Sequence, residues 1–195
     1  MKKVILSLFA GLLVFNAAKA QHSTVEFGLK GGLNFANLNI ESNDDSKTRT
    51  SFHAGLLAHF HINNTWAVQP ELVFSGQGAK YNSNRTDKLS YLNIPINVQY
   101  MFDNGFRLQT GPQVGFLLNA KSDVGDIETD IKDGLKSTDI SWTFGVGYIT
   151  PGGFGVDARY NLGLTDISES DNSIKNSVFQ LGIFYQFRKI PTKQL

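Results

Sequence analysis

Val25-Glu26-Phe27-Gly28-Leu29-Lys30-Gly31-Gly32-Leu33-Asn34-Phe35 alternates without a break. Its odd positions hold Val25, Phe27, Leu29, Gly31, Leu33 and Phe35, while both charges, Glu26 and Lys30, stand at even ones. Successive side chains of a strand point to opposite faces, so the segment predicts a strand with one apolar and one polar face. The same pattern recurs over residues 52–62, 66–74, 92–102, 106–118, 140–148, 154–164 and 178–187. The apolar face falls on even positions from Phe52 to Leu164 and on odd ones from Phe179 to Phe187. Every charge in these segments stands on the other face. An arginine on the lipid side at mid-membrane costs about 2–4 kcal/mol, which is reason enough for eight clean faces. The expected fold is all-β: an eight-stranded antiparallel transmembrane barrel of the outer-membrane type, apolar outside and polar inside.

The N-terminus agrees with export. Lys2 and Lys3 precede an apolar run from Val4 to Phe15, and Ala18-Lys19-Ala20 reads as a cleavage site. The run is too short for a spanning helix, which needs roughly 20 apolar residues. The expected organisation is a signal peptide over 1–20, a barrel domain over 21–187 and a short tail over 188–195. Without Lys2, Lys3 and Lys19 the 18 basic residues fall to 15 against 17 acidic, a net charge of −2. That balance gives no reason to expect nucleic-acid binding. The absence of cysteine excludes disulfides, thiolate metal sites and an N-terminal lipidated cysteine.

Connections alternate in length. Asn63-Asn64, Asp103-Asn104-Gly105 and Thr150-Pro151-Gly152-Gly153 are tight turns, whereas 37–50, 79–88, 120–137 and 167–176 are long and polar. In outer-membrane barrels the short turns are periplasmic, so both mature termini are expected in the periplasm. Aromatic residues gather at two levels. Phe27, Phe60, Trp66, Tyr100, Phe102, Phe106, Tyr148, Phe154, Tyr185 and Phe187 lie near the short turns, with Phe35, Phe52, Phe74, Phe116 and Trp142 towards the other end. These are the belts expected at the two water–lipid boundaries. Pro70, Pro95 and Pro112 fall inside strands, where the ring removes a ladder donor; bulges are expected there.

Six inward charges, Glu26, Lys30, Glu71, Arg107, Asp157 and Arg159, are expected to pair in the lumen, with Asn93, Asn97, Gln99, Gln109 and Gln113 between them. A small barrel has room for little else, so the network is read as a plug rather than a gated path. His59 and His61 are roughly 7 Å apart on one face, but their spacing demands no metal. The acidic loop 121–139 lacks the ligand register of an EF-hand. Lys80, Arg85 and Lys88 are placed to meet lipid phosphates. No G-x-S-x-G, H-E-x-x-H, P-loop or G-x-G-x-x-G occurs, so neither enzymatic activity nor a cofactor is expected.

Phe27-Gly28-Leu29-Lys30-Gly31-Gly32-Leu33-Asn34, Gln69-Pro70-Glu71-Leu72 running into Ser75-Gly76-Gln77-Gly78-Ala79, and Leu92-Asn93-Ile94-Pro95 resemble the PorT-like outer-membrane β-barrel family of Bacteroidetes. Gly111-Pro112-Gln113-Val114-Gly115 and Asp157-Ala158-Arg159-Tyr160-Asn161-Leu162-Gly163-Leu164 extend the resemblance over nearly the whole mature chain. It implies the barrel, outer-membrane residence, and engagement by the outer-membrane assembly machinery. That machinery reads a terminal aromatic; here the matching residue is Phe187, followed by eight more residues. The expected role is structural or interaction-based, with membrane lipid, lipopolysaccharide and an envelope protein as candidate partners. The alternatives are a narrow pore or a component of protein secretion, and a soluble periplasmic barrel binding an apolar ligand.

Overall fold

Alternation becomes strand wherever the sequence carries it. The computed structural model describes residues 25–40, 46–81, 85–125, 127–169 and 173–187; the export segment and the tail lie outside the described residues. The strands are β1 (Val25–Ile40), β2 (Ser46–His61), β3 (Trp66–Tyr81), β4 (Arg85–Met101), β5 (Phe106–Val124), β6 (Ile127–Asp130), β7 (Thr138–Ile149), β8 (Phe154–Gly163) and β9 (Ile174–Gln186). They form one sheet in the order β4-β3-β2-β1-β9-β8-β7-β5-β6, and β4 also pairs with β5. That pairing closes a barrel of eight antiparallel staves and leaves no open edge on any of them. The four-residue β6 hangs on β5 beyond the ring.

The short turns are built as their residues require. The Asn63 side-chain oxygen accepts from the backbone N–H groups of Thr65 and Trp66, each at 2.8 Å. Gly105 has φ 90°, and a Cβ there would meet the Ile149 carbonyl oxygen at 2.4 Å, so only glycine turns this corner.

All eight apolar faces point outward. Leu29, Leu56 and Ile183 are 51 %, 55 % and 55 % exposed, whereas their neighbours Lys30, Leu57 and Gly182 are buried. Beyond Phe74, Leu92 and Phe116, towards the long loops, the polarity inverts. There the inward positions include Leu38, Ala79, Leu89, Tyr91, Leu117 and Ala120, all buried in one cluster beside the buried polar Gln77, Asp87 and Ser122. Outward positions on the alternating rungs carry Lys80, Ser90, Lys88, Asn119 and Lys121. A wall bathed in water on its outer side buries its apolar residues inside, like any soluble sheet. The inversion therefore marks where the lipid-facing band ends.

Three expectations change. The alternation ends at Phe52, Leu92 and Leu118, yet β2 starts at Ser46, β4 at Arg85, and β5 runs to Val124. Much of the expected loops 37–50, 79–88 and 120–137 is strand, because a polar outer face above the band conceals the pattern. The strand β6 lay inside the expected loop 120–137 for the same reason. The prolines cause no bulge. Partners run from Pro70↔Ile96 to Val73↔Asn93 and from Pro95↔Gln113 to Val98↔Thr110 with the register unchanged. A ring removes pairing locally, and the ladder resumes in step. The register shifts lie at the inversion, between Thr48 and His53 and between Ser90 and Tyr91. At the second shift Tyr91 faces Leu117 and Ser90 faces Asn119. Leu118 is the extra residue, so both Leu117 and Ala120 turn inward.

Candidate functional site

Closure brings together charges that are far apart in sequence. Lys30 of β1, Glu71 of β3, and Asp157 and Arg159 of β8 meet in the lumen. The Arg159 guanidinium donates to both Glu71 oxygens at 2.8 and 2.7 Å, the bidentate geometry at which arginine excels. It also lies 2.9 Å from Asp157 Oδ2. Lys30 Nζ completes the tetrad, 3.3 Å from Glu71 Oε2 and 3.2 Å from Asp157 Oδ2. No side chain of the four is more than 3 % exposed. Two positive and two negative groups cancel, as burial of ions demands.

Neutral polar groups extend the tetrad both ways. Gln69 donates to Glu71 Oε1 at 2.7 Å, and its own oxygen is 3.1 Å from His59 Nδ1. Asn34 Oδ1 accepts from Gln180 at 2.9 Å and lies 2.7 Å from His53 Nδ1. Its amide donates to Ser75 Oγ at 2.9 Å. Gln99 donates to Gln109 at 3.0 Å, and Gln113 to Ser141 at 2.9 Å. Asn93 and Asn97 are buried on the same inner wall of β4.

The other two expected charges lie outside the tetrad. Arg107 donates to Gln99 at 3.2 Å and to Gln186 at 3.4 Å, with its guanidinium 5.3 Å from the Phe184 ring centre. Glu26 stands opposite His59 near the start of β1. The His59 and His61 rings meet edge to face at 4.5 Å. Among the described residues no group of three His, Cys, Asp or Glu side chains is placed to hold a metal.

Apolar plugs stand above and below the charges. Leu57, Ile149 and Phe184 cluster towards the short turns, where a mouth of about 360 Å³ is lined by His61, Asp103 and Arg107. At the loop end Ile167, fully buried, joins Leu38, Leu89, Tyr91 and Leu117, with Ile131 and Leu135 packed against them. Two loops form this cover. Leu135 bridges Ser168, Lys136 N–H donates to the Ile167 carbonyl at 2.8 Å, and Lys136 Nζ lies 3.3 Å from Asp166. Leu57, Leu117 and Phe184 were visible in the sequence as apolar exceptions on the polar face. Ile167 left no signal, since no strand pattern surrounds it.

Asp166 anchors the cover. The backbone N–H groups of Ile174 and Ser168 donate to it at 2.8 and 3.0 Å and, with Lys136, hold its carboxyl below the usual carboxylate range. A lowered folded pKa stabilises the cover fully above the unfolded value, about 3.9, and the contribution is lost as pH falls through the folded one. Hydrogen exchange of the Ser168 and Ile174 amides, corrected for intrinsic rate, is expected to keep constant protection from pH 8 to about 5 and lose it in stronger acid. Protection falling already near neutrality would contradict this role.

The aromatic side chains meet at both levels, some across strands and some along one strand. Trp66–Tyr100, Tyr100–Phe102, Phe106–Tyr148 and Tyr185–Phe187 have ring centres 5.0, 4.9, 6.5 and 5.3 Å apart. Phe52 and Phe74 are 5.8 Å apart at the other level. Phe27, Phe60 and Phe154 are exposed at the short-turn end, and Trp142 donates to Thr110 Oγ1 at 2.8 Å.

Comparison with known proteins agrees with the geometry. The crystal structure of Neisserial surface protein A superposes with a TM-score of 0.57 at 14 % identity, covering 84 % of this chain and 99 % of that one. Ail, the attachment invasion locus protein of Yersinia pestis, gives 0.52 at 17 % identity, covering 83 % and 98 %. At such identities the likeness is one of fold. No curated protein matches in sequence. Residues 18–169 match the family described as outer membrane protein beta-barrel domain, and with that match over most of its length the chain belongs to this family of outer-membrane barrels.

Proposed function

We propose that this chain is a sealed outer-membrane barrel with a structural or interaction role, holding its loop end outside the cell and both termini in the periplasm. One observation carries the reading: the lumen holds an apolar cluster, the neutral tetrad and a second apolar cluster covered by loops. Loops held on a rigid scaffold are where recognition gathers, and an envelope protein is the partner class we assign to them. The motifs from Phe27 to Asn34 and from Asp157 to Leu164 support placing the chain in the PorT-like branch of its family.

In planar bilayers the purified protein is expected to give no steady conductance, and liposomes containing it no sugar-dependent swelling. Sustained flux would favour the narrow-pore reading instead. The lack of cysteine makes orientation simple to test. On intact cells an impermeant maleimide is expected to label Thr129→Cys in β6 and spare Asn104→Cys in a short turn. The reverse pattern would refute the assigned orientation while leaving the sealed lumen untouched.

A further inference from the structure

Above the polarity inversion, β2 to β5 carry lysines on their outer face. Lys47 of β2 is the direct cross-strand partner of Lys80 of β3, and Lys88 of β4 that of Lys121 of β5. Direct partners in an antiparallel ladder share a face, and like charges so placed repel. Lys88 and Lys121 are neutralised by Asp123 and Glu128. Lys47 and Lys80 are exposed, and among the described residues neither makes an ion pair. Lys88 partners Gly78, two residues below Lys80, so β3 puts no side chain between them. A repelling pair with no carboxylate paired to it among the described residues leaves room for an anion from outside the chain.

Height identifies the anion. From Phe74, at the edge of the apolar band, to Lys80 is six residues of one strand. At about 3.4 Å per residue and a tilt near 40° that is roughly 16 Å above the band. A phospholipid head group reaches only about 5–7 Å beyond the hydrocarbon. Lys88, four residues above Leu92 on β4, stands at roughly 10 Å and can fold its stem back to that layer. Lys47 and Lys80 stand too high for it. We infer that Lys47 and Lys80 bind the phosphate groups of a membrane glycolipid whose sugar head carries phosphate well above the acyl chains. The inference rests on the membrane placement of the outer face, not on which leaflet the loops face.

The test uses the full mature chain folded in phosphatidylcholine bicelles. It is titrated with a rough lipopolysaccharide bearing phosphorylated inner-core sugars, with the same glycolipid after enzymatic dephosphorylation, and with phosphatidylglycerol. Amide shifts of Gly78 and Thr86 report binding. The phosphorylated glycolipid is expected to move both amides, and Lys47→Gln/Lys80→Gln to weaken binding about thirty-fold, in line with the strength of lysines at anionic surfaces. Lys47→Arg/Lys80→Arg is expected to retain it. The proposal is overturned if the glutamine variant, shown folded by heat-modifiable gel mobility, binds as the parent does. It is overturned equally if dephosphorylation changes nothing, or if phosphatidylglycerol moves both amides as strongly. Failure of the membrane placement would appear separately, as a chain that does not enter bicelles.

Discussion

Arg159→Met is expected to lower the free energy of unfolding by about 3–5 kcal/mol, because it leaves Glu71 and Asp157 sharing only Lys30 in a closed lumen. The loss should exceed anything expected from a surface charge, since Arg159 is paired with both carboxylates and is buried. Electroneutrality supplies the control. Arg159→Met combined with Glu71→Gln leaves one Lys30–Asp157 pair, and the double variant is expected to recover most of the loss. Urea unfolding in lipid vesicles, followed through Trp66 and Trp142, measures all three chains. Additive losses would mean that the four groups do not act as a unit.

Val156→Arg is expected to cost about 2–4 kcal/mol, whereas Ser90→Arg changes stability little. Both positions are on the outer wall. Val156 stands in the apolar band, 47 % exposed; Ser90 lies beyond the inversion on the same rung as Gly76 and Asn119. Equal losses would place lipid against both, and negligible losses at both would place water there. The pair of variants therefore measures the height of the membrane boundary on the protein itself.

The sequence disclosed the fold because lipid imposes one rule on every stave. From Val25 to Phe187 the same alternation recurs, and each of the eight predicted outer faces is the one exposed. Legibility ended at the upper rungs, where water replaces lipid. From Ser46 to Ser51 and from Arg85 to Tyr91 the outer face is polar and the inner one partly apolar, so alternation no longer says which side is which. Register shifts at Thr48/His53 and Ser90/Tyr91 break the parity further. In the lumen, the identities of the charges were readable and their partners were not. Which of six side chains meet depends on the stagger of β1, β3 and β8 around the ring. The cover was the least readable part, for Ile167 earns its buried place from tertiary contacts alone.

The joint between β1 and β9 has a consequence for biogenesis. Gly28 faces Gln186, and Phe187 N–H donates to the Phe27 carbonyl at 2.7 Å, so the first and last parts of the barrel zip to each other. Contacts so remote along a chain form late, after much loop entropy has been given up. A polypeptide halted before residue 174 would present two unpaired rims to the bilayer, a state hydrocarbon does not tolerate. Insertion must therefore wait for the final strand, and whatever catalyses it has to hold those rims apart from lipid until they meet.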